Sequence, residues 1–417
     1  MKKITAFLLA AVLILGLTAC GQEDSLNSTT APTSPSVTQP TTPGGSTNTT
    51  PPSSPVDIDK LAAVYDIANY TGSPEDVIAN RNTIVATLGD AQLTNSTLQI
   101  YYWLDVYDFI SNFDIAAYGL DISKPLHEQK VPTTNNTWQQ YFLGSALSTW
   151  IYHQALAAQA QEESVKLSPY FQKLLDNMDQ ELTDSAVEGG FDSIDAMIQT
   201  DVGPGCTIED YHTHRQVLYA AQNYCYHKIN TMAFTDQQIE NYFTQNEASL
   251  KADGVNKDLG NAHRVRHILL QIGAEPTDAD WEKLRADAQT ILDQWLAGEA
   301  TEESFSALAM EKSEDPGSVN YGGLYQGLTK DTSFLKPFKD WYLDESRQVG
   351  DYGLVKTTAG YHIMYYAGTE PVWYYYCREM MVSDEIEKIE NAATKKFEVA
   401  IDFDKILLGE VSLMEEK

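Results

Sequence analysis

Near His263 the chain changes its hydrophobic period, and that change restricts its architecture more than any other feature. Before it, apolar residues recur at three- and four-residue spacing, as amphipathic helices require. Thr94-Asn95-Ser96 forms a capping cluster ahead of Leu98, Tyr102, Val106, Phe109 and Ile110. A second helix is predicted from Thr137 to Glu163, carrying Trp138, Phe142 and Trp150, and the segments Pro169 to Leu182, Ile208 to Lys228 and Thr235 to Gln245 continue the pattern. Aromatic residues such as Tyr101, Tyr102, Trp103 and Tyr107 read as core rather than binding surface. After the change, Arg264 to Ile272 reads as a buried strand, and Pro276 with Thr277 opens a helix that Gly298 ends. A shorter helix holds Phe305, Leu308 and Ala309, a glycine-rich loop runs from Asp315 to Gly327, and a helical piece spans Lys336 to Tyr342. Two strands, Tyr352 to Thr357 and Tyr361 to Tyr366, close the unit. This order predicts an α+β sandwich around an antiparallel sheet. A last helix is predicted from Ser383 to Leu408, with Ile386, Ile389, Ala393, Phe397 and Ile401 on one face. Packed back on the first lobe, it would make that lobe discontinuous and the sandwich an insertion.

The N-terminal end points to export. Lys2 and Lys3 precede an apolar run from Ala6 to Leu17, which is too short for a span of ~20 residues. The Leu17-Thr18-Ala19-Cys20 end resembles a bacterial lipobox, which implies removal of residues 1–19 and lipid attachment at Cys20. Residues 20–56 are rich in Ser, Thr, Pro, Gly and Asn, and such a stretch buries too little apolar surface to offset its ordering entropy. They are expected to form a tether. The expected divisions that follow are a helical lobe over 57–260, the sandwich over 261–368 and a returning segment over 369–417. Without Lys2 and Lys3 the chain holds 26 basic against 59 acidic residues, a net charge near −33, which argues against nucleic acid as a partner.

Besides Cys20 there are only Cys206, Cys225 and Cys377, so disulfides do not build the scaffold. Cys206 and Cys225 are candidates to pair, with one thiol left over. The set Cys206, His212, His214, Cys225 and His227 matches no common zinc spacing and reads as core cysteines with surface histidines. No metal or cofactor is expected.

Four motifs stand in order across about 100 residues. They are His267-Ile268-Leu269-Leu270, Phe305-Ser306-Ala307-Leu308-Ala309, Ser313-Glu314-Asp315-Pro316-Gly317-Ser318 with Gly322-Gly323, and Thr357-Thr358-Ala359-Gly360-Tyr361-His362-Ile363. This order resembles the parvulin-type peptidyl-prolyl isomerases. With the lipobox and the flanking helices, the whole resembles PrsA-like foldase lipoproteins, and the helical lobe resembles the chaperone region of SurA-like proteins. The resemblance implies a four-stranded antiparallel sheet, with His267 and His362 as paired histidines at its centre, Thr357 as the hydroxyl between them and Asp315 as the acid. It also implies a proline-ring pocket from Tyr325, Phe334 and Phe338. One departure stands out: the family's Gly-Gly-Asp-Leu-Gly is here Gly322-Gly323-Leu324-Tyr325-Gln326-Gly327, so the aspartate is gone and a larger Tyr325 replaces the pocket leucine. Ala359 also stands where some relatives have serine.

The reaction the resemblance implies is rotation about an X-Pro amide, whose barrier of ~18–20 kcal/mol makes it slow without forming or breaking a bond. The expected protein is an extracytoplasmic isomerase and chaperone for unfolded or newly exported polypeptides, anchored to the outer face of the cytoplasmic membrane. Two alternatives stand beside it. One is a holdase that grips extended chains without turnover, motivated by Leu324, Tyr325 and Gln326; the other is a surface lipoprotein that recognises a small ligand or host factor, motivated by the lipid anchor and long tether.

Overall fold

A computed structural model describes residues 66–413; the expected signal segment, Cys20 and the expected tether lie outside the described residues. The first lobe is helical because its caps and apolar stripes agree. Strand β1 (Ile84–Leu88) turns into β2 (Ala91–Thr94) after a short helix α1 (Pro74–Ala79), and the Thr94 hydroxyl then accepts the Thr97 N–H to start α2 (Asn95–Asn112). Thr137 and Gln140 form a reciprocal capping box for α3 (Trp138–Glu162). Ser168 caps α4 (Pro169–Gly189), with proline at its first position and a left-handed Gly190 at its end. Three further helices follow, α5 (Ile194–Val202), α6 (Ile208–Thr231) and α7 (Asp236–Ala252). Helices α2, α3 and α6 enclose a core in which Leu98, Tyr101, Tyr102, Trp138, Phe142, Trp150 and Tyr224 are almost wholly buried. Each aromatic ring so buried contributes about 2–3 kcal/mol of transfer free energy, which fixes this lobe as a packed body.

The second lobe is the α+β sandwich. Strand β3 (Asn261–Gln271) is followed by α8 (Asp278–Ala297), α9 (Glu302–Lys312), β4 (Leu324–Leu328), α10 (Lys336–Tyr342), β5 (Tyr352–Thr357) and β6 (Gly360–Pro371). The strands form one antiparallel sheet in the order β4-β3-β6-β5, with His267 opposite Met364 and Leu269 opposite His362. Alternation sends Ile268 and Ile363 to one face, against Ala288, Leu292, Phe305 and Ala309 of α8 and α9. The other face carries Val265, Met364 and Tyr366, packed against Phe338 and Tyr342 of α10. Both histidines lie on this second face.

Helix α11 (Val372–Lys396) leaves β6 without a loop and returns to the first lobe, where the Tyr152 hydroxyl meets Glu390 and Lys396 pairs with Glu162. Strand β7 (Val399–Ile401) then joins β1, with Ala86 opposite Ile401, to complete a three-stranded antiparallel sheet β2-β1-β7.

Several expectations are corrected. The last helix starts at Val372 rather than Ser383 and ends at Lys396, so Ile401 belongs to a strand. The first lobe also contains a small sheet, and the loop predicted from Asp315 to Gly327 ends in strand β4. Cys206, Cys225 and Cys377 are all buried free thiols. The reading of the histidines as surface residues fails for His214, which is 3% exposed. Among the described residues, no helix is long and apolar enough to cross a membrane.

Candidate active site

The site lies where the two central strands of the sandwich place a histidine each on the α10 face. His267 on β3 is 2% exposed and His362 on β6 is 6% exposed. Their Nδ1 atoms stand 3.1 Å apart, with the rings inclined by only 21°. On the far side of His362, Nε2 lies 2.9 Å from the buried Thr357 hydroxyl, which itself accepts the Ala359 N–H at 3.1 Å. On the far side of His267, Nε2 lies 2.8 Å from Asp315 Oδ2 and 3.0 Å from Ser318 Oγ. Asp315 Oδ2 also receives the Ser318 hydroxyl and the Tyr325 hydroxyl, the latter at 2.9 Å.

Glycines hold this arrangement to the strand. Gly323 takes φ +72°, and a Cβ there would stand 2.2 Å from the His267 carbonyl oxygen. A glycine lets the loop come close enough for the His267 N–H to donate to Gly323 O at 2.8 Å. Ser313 Oγ receives the Leu269 N–H at 3.2 Å and the Asp315 N–H at 3.3 Å, which ties the acid-bearing loop to the same strand.

Electrostatics give the network a direction. Burial works to raise the Asp315 carboxyl, but the hydrogen bond and charge of His267, with the hydroxyls of Ser318 and Tyr325, outweigh it and hold Asp315 well below the usual carboxylate range. An ionised Asp315 accepts only, so Nε2 of His267 carries the proton toward it. Burial pushes His362 down to about 3, the His267 charge adding to the effect and Asp315 opposing it, so His362 is neutral at pH 7. His267 Nε2–H thus donates to Asp315, and the chain continues through the His267 Nδ1–His362 Nδ1 and His362 Nε2–Thr357 contacts, whose direction follows the imidazole tautomers. Burial, then the Asp315 charge, keeps the Tyr325 phenol protonated and able to donate.

Aromatic rings line the same place. Phe338, 1% exposed, meets His267 and His362 edge-on at 5.2 Å each. Phe334 stacks on Phe338 at 4.6 Å, and Tyr325 stands across Phe334 at 5.1 Å. The structure therefore brings His267, His362, Thr357, Asp315, Tyr325, Phe334 and Phe338 into one connected cluster. Ser318, fully buried between His267 and Asp315, is a member that the sequence reading left without a role. Its signal was the spacing Asp315-x-x-Ser318, which lets a serine hydroxyl fold back onto the acid three residues earlier.

An antiparallel four-stranded sheet with helices on both faces and a histidine pair at its centre defines a parvulin-type domain. Sequence comparison agrees: residues 249–367 match the family described as PPIC-type PPIASE domain, so the chain contains a domain of that family. Among solved structures, the chain aligns with the peptidylprolyl isomerase PrsA from Bacillus anthracis at 14% identity, over 63% of this chain and 99% of that one, with a TM-score of 0.21. It aligns with foldase protein PrsA from Streptococcus pneumoniae at 12% identity, over 60% and 83% of the two chains, with a TM-score of 0.19. A structure of the SurA-like chaperones PEB4 and Cj1289 of Campylobacter jejuni aligns at 16% identity over 75% and 96%, with a TM-score of 0.19. No curated protein matches the chain.

Proposed function

We propose that this chain is a PrsA-like extracytoplasmic foldase that accelerates cis-trans isomerisation of X-Pro bonds in unfolded or newly exported polypeptides. The observation that carries the reading is the unbroken hydrogen-bond chain Thr357–His362–His267–Asp315 beneath the aromatic cluster of Tyr325, Phe334 and Phe338. A planar amide is stabilised by charge separation between its oxygen and nitrogen, and rotation removes that separation. Aromatic walls disfavour the charge-separated planar form, and an ionised Asp315 near the carbonyl oxygen repels the negative end of its dipole. Both effects lower the twisted state relative to the planar one. His267 holds Asp315 in place through its Nε2, and the neutral His362 with Thr357 holds His267 from the other side. Proline-ring contact is assigned to Phe334 and Tyr325, with Phe338 as the floor.

Cys20 is assigned as the lipidated residue, with the tether holding the folded lobes off the membrane's outer face; a Cys20→Ala variant is expected to lose incorporation of labelled palmitate. The catalytic reading is tested by NMR exchange or protease-coupled rates on a panel of X-Pro peptides. His267→Ala and Asp315→Ala are each expected to lose acceleration at least several-fold, and unchanged rates in both would sink the assignment. One observation favours a second reading, a holdase without turnover: Tyr325 both bonds Asp315 and stands over Phe334, where a proline ring would enter. Suppression of client aggregation by a folded protein that shows no proline turnover would establish it.

A further inference from the structure

Helices α2, α3 and α6 enclose a second group of polar side chains that the isomerase reading does not use. Arg215 on α6 is 2% exposed, and its Nη2 donates to the Tyr211 hydroxyl at 2.6 Å, with the guanidinium 4.8 Å from the centre of that ring. Arg81, Arg266 and Arg378 each meet a carboxylate, whereas Arg215 meets none among the described residues. Its charge acts on Tyr101, His153 and His214, which are 2, 6 and 3% exposed. The Tyr101 ring lies 4.4 Å from His214 and 5.9 Å from His153, and the rings meet at 72° and 42°. The Tyr101 hydroxyl and the Nδ1 atoms of His153 and His214 are buried without a hydrogen-bond partner.

These groups share one chemistry. A guanidinium removed from water without a counter-charge is among the costliest arrangements in an interior. Water would satisfy the orphaned atoms but not the charge. A metal ion would be repelled by Arg215. The acid whose charge reaches Tyr101 is Asp105, but burial pushes its carboxyl up to about 7 and its hydrogen bond goes to Ser145, so it supplies an incomplete counter-charge. Burial, with the Arg215 charge adding, keeps both imidazoles neutral, so each has one N–H to offer. Donors carried on rings at such different inclinations suit a spherical acceptor better than a planar carboxylate.

We propose that Arg215, Tyr101, His153 and His214 form a buried binding site for one monovalent anion of the halide class, which completes the core of the helical lobe. The purified protein is titrated with bromide at constant ionic strength, gluconate making up the balance, while thermal unfolding is followed. Bromide at about 100 times its dissociation constant is expected to raise Tm by roughly 5–10 °C. Arg215→Met is expected to lose that response, and His227→Gln, at an exposed position of the same helix, to keep it. Should Arg215→Met fail to fold, His153→Gln replaces it, with bromide dependence expected to weaken several-fold. A bromide-soaked crystal is expected to show an anomalous peak within hydrogen-bond distance of Arg215. A Tm indifferent to bromide without such a peak, or a response that survives Arg215→Met, overturns the proposal and leaves the cluster to ordered water.

Discussion

Tyr325 decides between an isomerase and a holdase, and two substitutions separate its hydroxyl from its ring. Tyr325→Phe deletes only the donor that reaches Asp315 Oδ2 at 2.9 Å. A hydrogen bond to a charged acceptor contributes about 1.5–3 kcal/mol, and the half-buried setting of Tyr325 places the expected loss of stability near the lower end, about 1.5 kcal/mol. The carboxyl keeps His267 and Ser318 as donors, so it starts far enough below the usual range to stay ionised at pH 7. Turnover of an X-Pro peptide should therefore change by less than about threefold, since ~1.4 kcal/mol is needed for tenfold. Tyr325→Leu also removes the ring that stands 5.1 Å from Phe334 and restores the smaller pocket residue. Its kcat/KM is expected to rise, while stability falls by about 2–3 kcal/mol because ring contacts are lost as well. Urea unfolding and peptide isomerisation at pH 7 measure both variants. If Tyr325→Phe unfolds at the wild-type midpoint, the phenol–carboxylate bond contributes nothing and this account of Asp315 fails. If Tyr325→Leu drops kcat/KM tenfold, the contact of the ring with proline outweighs the room the ring takes in the slot, and the expected rise is refuted.

Other outcomes follow from the same geometry. Gly323→Ala places a Cβ 2.2 Å from the His267 carbonyl at φ +72°; about 2–4 kcal/mol of stability and most of the isomerase activity should be lost, as read by urea midpoints and peptide rates. His362 has a folded pKa pushed down from 6.5 to about 3, so the unfolded chain takes up a proton there first and stability falls as pH drops below 6.5. His362→Gln, which keeps an acceptor for Thr357, should flatten the dependence of unfolding free energy between pH 6 and 4 by up to about 1.4 kcal/mol per unit; an unchanged slope would refute the assignment. Arg378→Met strips the buried Glu370 of its bidentate partner and should cost about 1–3 kcal/mol in urea unfolding, discounted for the partial exposure of the arginine.

The parts readable from sequence were those with local causes. Capping residues Thr94, Thr137 and Thr277 stand within a residue or two of the helix starts they were expected to mark. Strand period alone turns His267 away from Ile268 and His362 away from Ile363, the two residues buried under α8 and α9. The misses were nonlocal. Strands β1, β2 and β7 have only five, four and three residues, and β7 pairs with β1 across more than 300 positions, so no window contains the signal. The start of α11 was missed because Val372-Trp373-Tyr374-Tyr375-Tyr376 is rich in strand-favouring residues, and packing overrides that preference. Arg215 was invisible as a site because its partners come from α2, α3 and α6. Ser318 lay inside a recognised motif, but only the folded loop shows its hydroxyl between His267 and Asp315.

The departure from the family's Gly-Gly-Asp-Leu-Gly acquires a physical reason from the neighbours of β4. Tyr325 faces the histidines, while Gln326 reaches α11, where its Oε1 accepts from Arg378 Nη2 at 2.7 Å and its Nε2 donates to Glu379 at 2.9 Å. The next residue, Gly327, lies directly beneath the Tyr375 ring, and a Cβ there would come within 2.4 Å of it. The preceding loop is held from the other side, with Asn230 Nδ2 donating to Asn320 O at 2.7 Å and Tyr226 meeting Tyr321 at 5.1 Å. A shorter or charged residue at position 326 would leave Arg378 and Glu379 without this bridge inside a half-buried interface, where unpaired polar groups are costly. The altered residues thus sit where the sandwich docks on the helices, and their side chains answer to the docking partner as much as to a proline ring. Because β4 is only five residues long and carries both contacts, a shift of α11 against the sheet loads directly on the strand that positions Tyr325.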